Sequence, residues 1–352
     1  MPISLKYMIN PINDGNKSIK ALSTMSLPQL FDLRNRLFMK KLANSDTMKD
    51  SAQLSKIFRN DPFMAGQGLL KTYTEKDTQT YGTAQPEGTT GQLVKFGIGR
   101  TLNFSFVDYG NATTLTGKAR HFNKYSDFIN TIDIPMMLQA RRVLDGTHLL
   151  TFAFDSSYVN LDGVTIDLTV IDGLSLINAS HTTAQTGQTF TNIITGNPVF
   201  GKAGLLLGET VLRNNTIDGY GALGSVSPNL IITSTDPTML YNVQQVTMSS
   251  TELGQSNSAV INALRKYEHI ALSKLDTDAK GNRVSSKSDM WFLGDKNLIE
   301  AIYAEGMAIS NGAPVEDKLK GYAGVNDVTF PSFGAWVYKF ITPMGIAGSN
   351  PA

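Results

Sequence analysis

The chain has 352 residues, no cysteine, four histidines, and 31 Lys+Arg against 30 Asp+Glu. That length suits about two domains of roughly 150 residues each, and the lack of thiols excludes disulfides, Cys-based zinc sites and thiol nucleophiles. A net charge of +1 argues against a dedicated nucleic-acid reader, and 17% charged residues beside 41% hydrophobic ones leave an uncharged surface of the kind that partners cover.

Residues 1–60 hold ten Lys/Arg and four Asp/Glu, a balance of +6 that leaves the other 292 residues at −5. Within this basic segment Ser26 is placed to cap a helix carrying Leu27, Leu30, Phe31, Phe38 and Leu42, with Arg34, Lys40 and Lys41 among them. A second short pattern, Met48, Ala52, Leu54, Ile57 and Phe58, stops before Asp61-Pro62. Two readings stand: a helical hairpin packed on its own domain, or an arm that binds something else. On the second, changing Arg34, Arg36, Lys40 and Lys41 to Gln leaves the fold intact and weakens that binding.

From Leu70 to Arg100 Gly, Thr, Gln and charged residues dominate, which reads as two polar strands around Ala84–Gly88. Such a hairpin has too few apolar side chains to bury a face alone. The run Gly99–Val107 alternates apolar with polar and predicts a half-buried strand. The strongest helical pattern starts at Asp133 with Pro135 in the first turn, and its predicted apolar face is Met136/Met137, Ala140, Val143/Leu144, Leu150 and Phe154. Gly146 interrupts that face.

Strands are expected over Val164–Ile171, a helix from Asn197-Pro198 to about Arg213, a strand at Leu230–Ile232 and a helix from Asp236-Pro237 to about Met248. Ile261–Leu275 reads as strand, Asp276–Asn282 as a turn, and Met290–Leu293 as strand. Val325–Phe330 and Ala335–Ile341 read as two paired strands before a loose Gly/Pro tail.

The spellings that suggest chemistry lack its context. Gly219-Tyr220-Gly221-Ala222-Leu223-Gly224 matches a dinucleotide fingerprint, but polar residues on both sides replace the required strand and helix. Asp276–Gly281 opens like a calcium loop, yet Lys280 and Lys287 stand where oxygen ligands belong. Ser180-His181 are sequence neighbours without a GxSxG elbow, and His121, His148 and His269 are scattered without an HExxH pair. No catalytic residue, cofactor or metal is therefore assigned, and the chain reads as a non-enzyme. No run approaches the roughly 18 apolar residues of a membrane span, and the N-terminus lacks a signal-peptide pattern, so no membrane and a product that stays in its cell are expected.

The order of these parts resembles the major capsid protein of tailed phages, the Hong Kong phage-type fold, and within it the Mu-like major head subunits. Three stretches carry the resemblance. Phe128–Phe154 resembles the spine helix with its early proline; Asp172-Gly173 through His181 resembles the segment that follows it; and Pro228–Ile232, Asp236–Tyr241, Asn262–Leu264 and Met290–Leu293 resemble the later landmarks.

The resemblance implies an α+β fold: an N-terminal arm (1–67), an extended β-hairpin or E-loop (68–104), a peripheral domain (105–190) with the spine helix at about 133–155, an axial α/β domain (191–260), and its remainder with strands returning to the peripheral domain (261–352). It implies a structural subunit that self-assembles, as pentamers and hexamers, into the icosahedral shell around double-stranded DNA. The implied partners are copies of itself, a separate scaffolding protein, a portal, decoration proteins and non-specifically contacted DNA; the implied location is the virion, after assembly in the host cytoplasm. A nanocompartment shell of the same fold, or another phage structural protein, is the alternative. The subunit-interface candidates are Tyr73, Tyr81, Pro86 and Val94 in the hairpin and Arg34, Arg36, Lys40 and Lys41 in the arm.

Overall fold

The computed structural model describes residues 22–61, 70–77, 97–183, 187–215, 226–249 and 262–351. The chain divides into two compact units, one made of Met1–Ser45, Asp108–Ala140 and Met307–Ala335, the other of Asp46–Val107, Arg141–Gly306 and Trp336–Ala352. The two expected N-terminal helices therefore fall in different units, which departs from a single arm over 1–67.

In chain order the helices are α1 (Leu27–Ala43), α2 (Asp46–Leu54), α3 (Gly117–His121), α4 (Tyr125–Asn130), α5 (Asp133–Thr151), α6 (Lys202–Asn215) and α7 (Pro237–Met248). The strands are β1 (Arg59–Asn60), β2 (Leu70–Asp77), β3 (Gly97–Ser105), β4 (Val107–Leu115), β5 (Ser157–Val159), β6 (Thr165–Asp167), β7 (His181–Thr182), β8 (Thr189–Phe190), β9 (Leu230–Ser234), β10 (Glu268–Leu272), β11 (Trp291–Gly294), β12 (Ala301–Asn311), β13 (Val315–Tyr322), β14 (Val325–Phe340) and β15 (Ile346–Ser349).

In the first unit Ser26 starts α1 as expected, its N–H donating to Gln29 Oε1 at 3.1 Å. The buried stripe of α1 is Leu30, Arg34, Phe38 and Leu42, so an arginine occupies a core position. Leu30 packs with Leu22, Leu115, Phe128, Val328 and Phe330, while Phe38 and Leu42 pack on Ile132. β13 and the first part of β14 form an antiparallel hairpin from Val315↔Thr329 to Tyr322↔Val325, with an irregularity between Asp317 and Gly321. The backbone of α3 lies on this hairpin: a Cβ at Gly117 would collide with the Val325 carbonyl oxygen. Asp327 Oδ1 accepts from Gly117 N, and Thr116 Oγ1 caps the helix by accepting from Ala119 N at 3.2 Å.

The second unit is built on a four-stranded sheet of order β10-β9-β11-β15. β10 runs parallel to β9, and β11 runs antiparallel to both β9 and β15. Period-2 alternation sends Leu230, Ile232, Phe292 and Ile346 to one face, with Val143 and Leu150 of α5 and Leu54 of α2. Ile231, Trp291, Leu293 and Ala347 go to the other, with Leu205 and Leu212 of α6 and Val243 of α7. A strand covered on both faces reads as an unbroken apolar run, which is why Leu230–Ile232 was legible. Asp236 caps α7 as expected, accepting from Thr238 N at 2.8 Å.

Several expectations change. Met137 and Ala140 of α5 are exposed, whereas the expected Val143 and Leu150 are buried and are joined by Gln139, Gly146 and Thr147. Gly146 is the point of closest approach, since a Cβ there would stand 3.0 Å from both Leu54 Cδ1 and Tyr338 Cζ. The predicted pair Val325–Phe330 and Ala335–Ile341 is one strand, β14, running through Pro331 and Gly334. The expected loose tail contains β15, fully buried, where Gly348 leaves room for the Phe292 ring. α6 starts at Lys202, after Asn197 has turned at φ +43, rather than at Pro198. The 261–275 run is a short 3-10 turn at Ala263–Lys266 followed by β10.

Candidate functional site

The base of the polar hairpin is present as expected: β2 pairs antiparallel with β3 from Leu70↔Ser105 to Asp77↔Gly97, and this ladder is a two-stranded sheet of its own. Alternation in β3 turns Leu102 and Phe104 inward onto Ile171, Ile302 and Ile341 of the second unit. Tyr73 stacks on Phe104, ring centroids 5.9 Å apart and ring planes nearly parallel.

The polar rim fixes this base. Lys71 Nζ donates to Asp61 Oδ1 at 2.6 Å and to its carbonyl at 3.0 Å, and the Tyr73 hydroxyl donates to Asp61 Oδ2. Burial, reinforced by the Asp61 carboxylate, pushes the Tyr73 hydroxyl up to about 12. Asp61 is itself placed as the residue that follows β1, where its N–H donates to Tyr303 O at 2.8 Å and extends the β1–β12 pairing. On the next turn of the ladder Arg100 holds Glu75 through Nε at 2.9 Å and reaches Thr182 Oγ1 at 3.2 Å. Asp61, Glu75 and Arg100 were not singled out in the sequence, although an acid just before a proline and a Glu/Arg pair on facing strands are the signals that mark them.

Tyr73 is thus an anchor between the hairpin and its own unit. Tyr81, Pro86 and Val94 lie outside the described residues, as does the glycine-rich Gly219–Gly224. The four basic candidates of α1 do not act alike. Arg34 is fully buried, donating to Thr131 O at 3.0 Å through Nη2 and to Ser332 Oγ at 3.0 Å, and burial lowers its guanidinium to about 10. Its expected role as a subunit-interface cation is corrected by that burial. Arg36 pairs with Asp32, Lys41 pairs with Asp133, and Lys40 is exposed in the last turn of α1.

The remaining motifs resolve into local structure. His181 is buried with both ring nitrogens facing acceptors, Asp172 Oδ2 at 2.6 Å and Leu176 O at 3.2 Å, while Ser180 is exposed. Burial, the largest single effect, pushes the Asp172 carboxyl up, but the hydrogen bond and charge of His181, the Leu174 N–H and the charge of Arg100 together hold the group below its usual range. Asp278 Oδ1 accepts from Lys280 N and Asn282 N, closing the turn expected there. Among the described residues no three of His, Asp and Glu gather as a metal site. A cavity of about 10 Å³ lined by Phe190, Val211, Leu212 and Ile346 has room for roughly one water.

No family model matches the chain, and no curated protein matches it. Among solved structures it is similar to the capsid of Myoviridae phage XM1, at 11% identity and TM-score 0.45, over 85% of this chain and 90% of that one. It is likewise similar to the capsid of cyanophage P-SCSP1u, at 11% identity and TM-score 0.45 over 83% and 85% of the two chains. To the capsid of Ralstonia phage GP4 the figures are 11%, 0.44, 83% and 86%.

Proposed function

We propose that the chain is a major head subunit of a tailed phage, of the Mu-like kind, and that its role is structural. On this reading it assembles as pentamers and hexamers into an icosahedral shell around double-stranded DNA. The observation that carries it is the β2–β3 ladder. Its side chains Tyr73, Leu102 and Phe104 are committed to the base, Leu70 stands exposed, and the 19 residues between Asp77 and Gly97 are mostly Gly, Thr, Gln and charged or otherwise polar. A two-stranded ladder needs another surface for stability, and a neighbouring subunit supplies one.

On the same reading β2–β3 is the base of the E-loop and α5 is the spine helix. The sheet β10-β9-β11-β15, with α6 and α7 on it, belongs to the axial domain. A separate scaffolding protein, a portal and decoration proteins are its partners, DNA is touched without sequence preference, and assembly takes place in the host cytoplasm. The test is electron microscopy with light scattering on the purified chain, with and without a scaffold. Shells, tubes or five- and six-membered capsomers are expected; a sharp monomer at high concentration with scaffold present overturns the reading.

A further inference from the structure

Two exposed surfaces on this chain are complementary in charge and both rich in apolar side chains. The first belongs to the first unit. Between Asp317↔Asp327 and Gly321↔Asn326 the β13–β14 register skips, so Lys318, Leu319 and Lys320 bulge out of the ladder. Asp317 Oδ1 fixes the bulge by accepting from Leu319 N at 3.0 Å, and Leu319 stands 97% exposed. Beside it the exposed rings of His121, Phe122 and Tyr322 cluster, with centroids 5.1–5.7 Å apart. Lys118 on α3 and Lys124 just before α4 are exposed as well.

This surface is held rigidly. The close seat of Gly117 on Val325, Arg120 Nη1 on Asn326 O at 2.8 Å and the Arg120–Glu316 pair lock α3 to the hairpin. Aromatic and aliphatic side chains flanked by Lys118, Lys124, Lys318 and Lys320, the last of which pairs with Asp317 at 3.7 Å, fit an apolar partner with an acidic rim.

The second surface belongs to the second unit. From 143 to 201 the chain has no Lys or Arg and five Asp. The β5–β6 hairpin inside this stretch exposes Val159, Leu161 and Val164 at its tip. Asn160 Oδ1 accepts from Asp162 N at 2.9 Å and Val164 N at 3.0 Å, so the tip too is preorganised. Its carboxylates face solvent while their cations do not: Asp162 is 56% exposed over Arg141 at 13%, and Asp167 is 64% exposed over Lys339 at 5%.

We propose that the Lys318–Lys320 bulge and the Phe122/Tyr322 rings of one copy dock on the β5–β6 tip of a second copy. The contact is heterologous, so each copy uses one face of each kind and the contact propagates from copy to copy. It deepens the assembly reading above and rests on it.

The test uses two full-length variants. Phe122→Ser/Leu319→Asp spoils the first face, and Leu161→Asp/Val164→Asp spoils the second; all four side chains are exposed, and circular dichroism with thermal melts checks that each variant folds. Each variant alone is expected to lose shells. Mixed, they are expected to form a 1:1 heterodimer by light scattering, because one intact pair of faces survives. A milder variant, Lys318→Gln/Lys320→Gln, is expected to assemble at least about tenfold more slowly and with a shallower salt dependence.

If wild type forms shells and the variants do so equally, the proposed contact is wrong while the assembly reading stands. If wild type stays monomeric at high concentration with scaffold present, both fall. If the variants assemble normally but lose binding to a labelled single-stranded oligonucleotide in fluorescence anisotropy, the ring cluster is a base-stacking platform, and the second-copy proposal is overturned.

Discussion

The guanidinium of Arg34 lies over the ring of Phe330, its central carbon 5.0 Å from the ring centroid, inside the core of the first unit. The ring and the two acceptors Thr131 O and Ser332 Oγ compensate its burial in part. Arg34→Gln leaves those acceptors facing an apolar core and is expected to cost about 2–3 kcal/mol. Arg36→Gln, which removes an exposed pair with Asp32, is expected to cost less than about 0.5 kcal/mol. Urea unfolding of the two variants separates the cases, and it also shows that a fourfold Gln exchange including Arg34 is not fold-neutral.

Gly117 is the second fixed point of that unit. A methyl group there meets the Val325 carbonyl and, at 2.8 Å, the Tyr322 nitrogen. Backbone cannot move aside as a side chain does, so Gly117→Ala is expected to destabilise by at least about 2 kcal/mol despite the better helix propensity of alanine. A thermal shift of several degrees to lower temperature is the readout; an unchanged melt contradicts the close packing.

His148 gives the second unit a pH dependence. It is buried between Phe152 and Tyr158, and desolvation, aided by Lys287 and Arg141, lowers it to about 4. Because the folded value lies below the unfolded one, the unfolded chain binds the proton first as pH falls. Its contribution is therefore whole above about 6.5 and is lost on descending to about 4, by at most roughly 3 kcal/mol. Comparing urea midpoints at pH 7.5, 5.5 and 4.5 for wild type and His148→Phe isolates this residue from the acids that also titrate. The variant is expected to show the shallower decline.

The hairpin offers a graded cut. Replacing 78–96 by a short Gly/Ser turn keeps Tyr73 on Phe104 and Lys71 on Asp61, so folding is expected to survive while shell formation is lost. Starting the cut at Tyr73 instead removes the stack, the Asp61 hydrogen bond and Glu75, and is expected to lower stability by a further ~1–3 kcal/mol. Denaturant curves and light scattering on both deletions read the two effects separately.

What was legible in the sequence was local. Ser26, Asp133 and Asp236 mark helix starts through groups a few residues away, and the Leu230–Ile232 run announces a strand by composition alone. What was illegible depends on partners far along the chain. Ile346–Ser349 carries two small residues and a glycine, and becomes a strand only because β11 lies open beside it. Pro331 looks like a stop, yet its carbonyl still accepts from Gly312 N at 2.9 Å and β14 continues. Arg34 reads as solvated because charge usually is, and only the distant Thr131, Phe330 and Ser332 make it a core residue. In the hairpin, Tyr73 was singled out for a neighbour's surface, whereas Asp61, twelve residues earlier, ties it to its own unit.

The order β10-β9-β11-β15 also dictates a folding history. β9 meets β11 only after some sixty residues have intervened, and β11 meets β15 after some fifty more, so every rung of those two ladders closes a long loop. Such topology folds slowly, with the entropy of closure paid before the pairing returns it. Until Ile346–Ser349 docks, the outer edge of β11 presents Trp291–Gly294 as an unpaired, wholly apolar strand, the most adhesive four residues in the sheet. Nascent or partly unfolded chains are therefore expected to stick to one another through β11.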